Sequence, residues 1–340
     1  EDDAEQATLA IRAEDRAPAV AVKDRLLTAV KTIRSSRLGE LTGSAALYEL
    51  PWYVVIGNPA AGKSTAVVKS GLNFPLAADG SRGEAVVVQG IGGTRNCDWF
   101  LTSEGILLDT AGRYSVHEED RSEWLGFLRL LKRARPLAPI NGILIAVSVA
   151  ELSGSTPDAA IQLAKSLRQR VQELTESLEV FAPVYLVFTK VDLVAGFVEF
   201  FADRDAAERD KIWGATLPYK AESGEDAVGH FERHFDELQE GLRELTLARM
   251  SLQRGQALPT GVLSFPLEFA ALKPALRSFV ATLFEDNPFQ FKPVFRGFYF
   301  TSSVQEGSAQ SPASAEVAKA LMSIDRQLAI RDPFEFLNAM

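Results

Sequence analysis

The sequence predicts an α/β protein, a doubly wound and mostly parallel sheet with helices on both faces. Short apolar runs at 53–56, 143–149 and 184–188 have the length of strands buried on both faces. They alternate with amphipathic helical stretches, as a crossover-connected parallel sheet requires. A glycine-rich turn, Gly57-Asn58-Pro59-Ala60-Ala61-Gly62-Lys63-Ser64, joins the first run directly to a helix.

The 340 residues allow two domains, or one large domain with an insertion. The hydrophobic fraction of 46% and charged fraction of 24% exclude a disordered, collagen-like or disulfide-framed chain. A net charge of −9 argues against binding nucleic acid or anionic lipid by bulk charge. The single cysteine, Cys97, excludes an internal disulfide and fits a reducing compartment. No run approaches the roughly 20 apolar residues needed to cross a bilayer. The chain is expected to behave as a soluble piece of something longer.

Taken in order, residues 1–16 are polar and acidic, a frayed start. Val22, Leu26, Val30 and Ile33 recur at helical spacing until Gly43-Ser44 breaks the pattern. Strand 53–56 leads into the glycine turn and a helix over 63–70. A β-branched run follows at 85–89, then a hairpin of 97–101 with 105–108. A helix over 124–131 stops before Pro136. After strand 143–149, Thr156-Pro157 supplies an N-cap and a first-turn proline. The helix it opens has the stripe Ile161, Ala164, Leu167, Val171, Leu174, Leu178.

Residues 197–259 break the rhythm, with no convincing strand and one strong helix marked by Phe231, Phe235, Leu238, Leu242 and Leu245. They are expected to be a helical insertion. A strand at 261–265, a helix at 272–284, an exposed-edge strand at 294–301, a loop at 308–312 and a last helix at 315–330 complete the chain. The expected organisation is an N-terminal helical segment (1–45), a core (46–196), the insertion (197–259), the end of the core (260–290) and a C-terminal strand and helical extension (291–340).

The glycine turn matches the G-x-x-x-x-G-K-[ST] phosphate loop in full, with the strand and helix it needs on either side. Gly57 and Gly62 let the backbone turn so that successive N–H groups of the loop face one phosphate, with Asn58, Pro59, Ala60 and Ala61 in the contact set. Lys63 reaches the β- and γ-phosphates, Ser64 offers a hydroxyl to Mg²⁺, and Thr65 completes the contact set. Asp109-Thr110-Ala111-Gly112 ends a strand as D-x-x-G. Asp109 is expected to hold the Mg²⁺ through water, and the Gly112 N–H to meet the γ-phosphate. Lys63 and Gly112 are thus the candidate catalytic groups. Thr94, between the two motifs, is a third candidate around the metal.

Thr189-Lys190-Val191-Asp192 follows strand 184–188 and resembles the N/T-K-x-D motif that reads guanine. A carboxylate at Asp192 accepts from the ring N–H and exocyclic amine of guanine, a donor pair that adenine lacks. Lys190 lies along the base. Thr in the first position loosens this reading, so GTP is favoured and ATP stays open. Ser264 and Phe265, at the end of the next expected strand, are candidates for the last base contact. The order of motifs is that of small GTPases, which makes the expected fold P-loop GTPase-like.

Longer stretches carry a narrower resemblance. Leu47-Tyr48-Glu49-Leu50-Pro51-Trp52-Tyr53 runs into the phosphate loop. Gly93-Thr94-Arg95-Asn96-Cys97-Asp98-Trp99-Phe100 and Leu108-Asp109-Thr110-Ala111-Gly112-Arg113-Tyr114 follow. Phe265-Pro266-Leu267-Glu268-Phe269, Arg296-Gly297-Phe298-Tyr299-Phe300-Thr301-Ser302 and Gln305-Glu306-Gly307 come later. Together they resemble the cytoplasmic region of the IcmF/TssM family, an inner-membrane subunit of type VI secretion systems. The resemblance implies a place on the cytoplasmic face of the bacterial inner membrane, with flanking membrane segments and a periplasmic part outside this chain. It also implies TssL, TssJ and baseplate proteins as partners.

Arg113 occupies the position where many GTPases place a water-orienting Gln, so hydrolysis is expected to be slow. Arg95 and Arg113 are the basic groups that could stabilise charge in cis, while His117, Glu118 and Glu119 read as solvated loop residues. His230 and His234 lack a third ligand and read as a solvated pair. The alternative function is a nucleotide-independent scaffold with a vestigial phosphate loop.

Overall fold

The computed structural model describes residues 16–35, 40, 45–72, 74, 97–115, 118–154, 156–202, 212–218, 226–252 and 258–302. The run at 85–89, Thr94, Arg95, His117, the loop at 308–312 and the helix at 315–330 lie outside them.

A seven-stranded sheet has the order β2-β3-β1-β4-β5-β7-β6. Its strands are β1 (Trp52–Ile56), β2 (Cys97–Leu101), β3 (Ile106–Thr110), β4 (Gly142–Ser148), β5 (Pro183–Thr189), β6 (Gly214–Thr216) and β7 (Val294–Phe300). The five central strands run parallel, whereas β2 pairs antiparallel to β3 and β6 antiparallel to β7. The strand order reverses at β1, which has β3 on one side and β4 on the other. In an open parallel sheet that reversal opens a crevice at the carboxyl ends of the strands.

The helices are α1 (Arg16–Arg34), α2 (Ala46–Glu49), α3 (Lys63–Val68), α4 (Arg121–Ala134), α5 (Val149–Gly154), α6 (Pro157–Leu178), α7 (Phe197–Phe201), α8 (Ala227–Leu252) and α9 (Thr260–Phe284). Alternate strand residues divide two cores. Trp52, Val54, Ile56, Ile143, Ile145, Leu186 and Phe298 point to the face packed by α1, α4, α6, α8 and α9. Tyr53, Val55, Leu107, Leu144, Tyr185 and Tyr299 point to the other, where α3 contributes Val67. The sheet is therefore wound on both faces. Thr156 caps α6 as expected, its hydroxyl accepting from the Ala159 N–H with Pro157 in the first turn. Among the described residues no helix is long and apolar enough to cross a membrane.

Three expectations need correction. The stretch expected as strand 261–265 opens the 25-residue helix α9. Phe265, Phe269, Leu272, Leu276, Phe279 and Leu283 are buried at helical spacing, and that stripe carries the helix through Pro266 and Pro274. A short apolar run is ambiguous between strand and helix until its neighbours are counted. The strand near 294–301 is internal, between β5 and β6, because Phe298, Tyr299 and Phe300 are buried in succession on both faces. Its outer neighbour β6, only three residues long, lies in the region expected to lack strands.

The segment before β1 is tied down by Arg135, which is 1% exposed. Its guanidinium donates to the carbonyls of Leu47 (2.8 Å) and Leu50 (3.3 Å) and to Asn141 Oδ1 (2.8 Å). Asn141 Oδ1 also accepts from the Trp52 N–H at 2.9 Å. The guanidinium lies 5.1 Å from the Tyr48 ring centroid and 5.0 Å from that of Trp52. Burial pulls its pKa down to about 10.

Candidate functional site

The loop between β1 and α3 needs unusual backbone. Gly62 precedes α3 with φ +83°, and Ala60 also has positive φ, 60°. Left-handed geometry is costly for residues with a β-carbon, so glycine at 62 relieves one of these two positions. The helix that follows is short, and its first N–H groups have no partner within the helix. They face a cavity of about 490 Å³ lined by Pro59–Thr65, Gly112, Arg113 and Lys190.

Lys63 is buried, and its ammonium donates to the carbonyls of Gly57 (2.8 Å) and Asn58 (3.0 Å). Burial lowers its pKa, while Asp109 and Glu151 act in the opposite direction. The Ser64 hydroxyl donates to the Asp109 carboxylate, which has no exposed surface. β1 and β3 are adjacent and parallel, with Val55 in register with Asp109, so residues just past the end of β1 meet that side chain. Gly112 leans on the loop itself. A β-carbon at 112 would fall 2.3 Å from the Pro59 nitrogen and 2.7 Å from the Asn58 carbonyl carbon. Asn58 turns away from the cavity side, its amide donating to Glu151 of α5 at 2.6 Å.

The end of β5 joins the same loop. Thr189 donates its hydroxyl hydrogen to the Ala61 carbonyl at 2.6 Å. Lys190 has φ +59° and brings its stem to 3.9 Å from a β-carbon built on Gly62. Asp192, 8% exposed, accepts a hydrogen bond from the Ser302 hydroxyl. Burial raises the Asp192 pKa, partly offset by the Ser302 bond and by Lys190. Ser302 lies two residues beyond β7, held in place where the Thr301 N–H donates to the Phe188 carbonyl at 2.9 Å and the Val191 N–H to the Thr301 carbonyl at 3.3 Å.

Relatives of the whole sequence fix its family. The family described as the IcmF-related N-terminal domain matches residues 117–331. This chain belongs to that family. The type VI secretion system component TssM1 of Pseudomonas aeruginosa is 42% identical over 314 residues, covering 90% of this chain and 28% of TssM1. The IcmF-related chain thus spans little more than a quarter of that relative. Among solved structures, the signal recognition particle receptor SRb-GTP/SRX complex of Chaetomium thermophilum is 22% identical, covering 44% of this chain and 75% of that one, with a TM-score of 0.28. The SRb-GDP form from the same organism is 14% identical, covering 80% and 97%, with a TM-score of 0.29. The P-loop GTPase-like fold of this IcmF-related domain follows from its own strand order and phosphate loop.

Of the expected site residues of the IcmF-related domain, Pro59–Thr65, Gly112 and Lys190 line the cavity, Asp109 and Thr189 bond to its loop, Asp192 meets Ser302 outside the lining, and Ser264 and Phe265 lie apart. Phe265 is fully buried among Phe197, Phe200, Trp213 and Phe269, and Ser264 packs beside Gly196. Neither lines the cavity. Because β7 rather than residues 261–265 neighbours β5, the group that reaches Asp192 is Ser302. Thr94 lies outside the described residues.

Arg113 is paired, its guanidinium donating to Asp120 and, at 2.7 Å, to Glu123. Desolvation works against its charge, but Glu123, Tyr114 and Asp120 outweigh this and raise its pKa. Among the described residues no group of three or more His, Cys, Asp or Glu could hold a metal ion. In place of the expected solvated pair of histidines, His230 is buried and contacts Arg233, while His234 contacts Glu237.

The expected residues do not include Ser302, Asp120 and Glu123, which bond to Asp192 and Arg113. The aromatic run that buries β7 on both faces was the available signal for Ser302.

Proposed function

We propose that this domain binds GTP with Mg²⁺ in the cavity beside Lys63, with ATP as the weaker ligand, and hydrolyses it slowly. The observation that carries the proposal is the pairing of Ser64 with Asp109 beside the ammonium of Lys63. A hydroxyl and a carboxylate at one point are hard oxygen donors. Mg²⁺ at a nucleotide site needs only one or two such groups besides phosphate oxygens and water. These residues fit that ion, and Ser64 and Asp109 are the ones that would hold it. When bound, Mg²⁺ supplies charge neutralisation on the phosphate oxygens.

The protein's own groups do the rest. Lys63 exchanges its two loop carbonyls for phosphate oxygens. Gly112, packed against the loop at Pro59, is the proposed N–H donor to a third phosphate. Asp192, oriented by Ser302, accepts from guanine with its remaining lone pairs, whereas adenine has no donor pair to offer them. The single hydrogen of the Thr189 hydroxyl is already given to Ala61, so it cannot also be donated to the base.

Occupancy of this site is proposed to regulate contacts of a type VI membrane-complex subunit with its partners. By family resemblance these are TssL, TssJ and baseplate proteins, met at the cytoplasmic face of the inner membrane. Calorimetric titration with GTP, GDP and ATP, each with Mg²⁺, tests the binding. Saturable heat with the guanine nucleotides, lost in Lys63→Ala, is expected; no heat with any of the three would overturn the proposal. The second reading, a scaffold independent of nucleotide, is favoured by the engagement of Lys63 with the loop's own carbonyls. Absence of binding to the wild-type chain would establish it.

A further inference from the structure

We infer that Arg113 is the specificity residue for the third phosphate and that Asp120 and Glu123 compete with that phosphate for it. This rests on the nucleotide reading above and deepens it. Arg113 lines the phosphate cavity, next to the glycine that presses on Pro59. It is a fork of donors suited to phosphate oxygens. Yet both ends of the fork are taken, one by Asp120 and one by Glu123, and the guanidinium lies 4.8 Å from the Tyr114 ring centroid.

The holding groups belong to a different element from the loop they restrain. Glu123 sits in the first turn of α4, and Asp120 immediately precedes that helix. Glu123 also accepts from the Tyr114 hydroxyl at 2.6 Å, and the Ser115 carbonyl accepts from Ser166 of α6. Residues 113–115 are thereby fastened to α4 and α6 at successive positions. Pro59, against which Gly112 packs, has no N–H to give a phosphate. The wall facing a third phosphate therefore has a cation within the cavity lining and two carboxylates competing for it. A diphosphate, seated over Lys63 and Ser64, does not need that cation. A triphosphate does, and must draw it from Asp120. Asp120 is the more exposed carboxylate of the two, at 20% against 6% for Glu123, and is the one that can be satisfied by water instead.

The test reads the ratio of dissociation constants for a fluorescent GDP and a fluorescent non-hydrolysable GTP analogue, both with Mg²⁺. Asp120→Asn, which loosens the hold without entering the cavity, should raise preference for the triphosphate about three-fold or more. Arg113→Gln, which keeps a neutral donor for buried Glu123, should lower it about ten-fold, the scale of a lost charge-assisted hydrogen bond. Arg113→Lys should restore part of it. In the Arg113→Gln background, Asp120→Asn should change nothing further. The inference is overturned if GDP binds and the ratio ignores Arg113, or if Asp120→Asn acts equally with and without Arg113. If the wild-type chain binds neither nucleotide, the binding proposal itself fails and this inference falls with it.

Discussion

The hydroxyl of Thr189 donates to the carbonyl of Ala61 at 2.6 Å, so the end of β5 is bonded directly to the loop at the end of β1. The two strands are not neighbours, since β4 lies between them. This bond fastens the residues that follow β5 to the loop that follows β1.

Thr189→Val keeps the shape and removes the donor, leaving the Ala61 carbonyl unsatisfied. The expected cost is about 1–3 kcal/mol of stability. Urea denaturation measures it, and guanine nucleotide affinity should fall in parallel. A variant as stable as wild type would show that the bond contributes nothing.

Asp192→Asn is expected to stabilise the protein at neutral pH while abolishing the preference for guanine over adenine. The folded carboxyl pKa is raised by burial above its ordinary 3.8. The folded state therefore binds the proton more tightly than the unfolded chain, and this contribution favours folding below the ordinary value. It is lost as pH rises through the folded pKa. Asn retains an acceptor for Ser302 and has no charge to bury. Denaturation midpoints from pH 4 to 7 should rise less on acidification, or fall more, in the variant than in wild type. Parallel pH profiles would refute the assignment.

Ser302→Ala removes the hydrogen bond that orients Asp192 and that partly offsets its raised pKa. The pKa should rise further, and the ratio of GTP to ATP affinity should drop about ten-fold, the scale of a hydrogen bond to a charged group. Competition binding measures that ratio; an unchanged value would place base selection elsewhere.

Phe269→Ala tests the core beneath β7. Phe269 stacks on Phe235 with ring centroids 4.6 Å apart and on Trp213 at 5.0 Å. Loss of the ring should cost about 3–5 kcal/mol. A drop under about 1 kcal/mol in chemical denaturation would mean that α8 and α9 repack freely.

Much of this architecture is written locally. Gly57 to Ser64 turns between β1 and α3, and Asp109-Thr110-Ala111-Gly112 ends β3, as their local sequence requires. Thr156-Pro157 sets the start of α6 by capping alone. What was not legible depends on contacts distant in sequence. Gly261-Val262-Leu263-Ser264-Phe265 has the apolarity of a strand, but in the fold it packs as a helix against α7 and α8. The place of β7 beside β5 fixes Ser302 on Asp192, across 110 residues of chain. β6 is too short for any periodicity to register. Arg113 as a paired group was equally hidden, because Glu123 reaches it only when α4 has docked.

The buried guanidinium of Arg135 gives the fold a mechanical property. It grips the carbonyls at the end of α2 and, through Asn141, the first amide of β1. The amino-terminal helices are thereby anchored to the head of that strand, roughly 17 Å from its glycine turn at the usual rise per residue. The Arg135 clamp and the glycine turn thus occupy opposite ends of one five-residue strand.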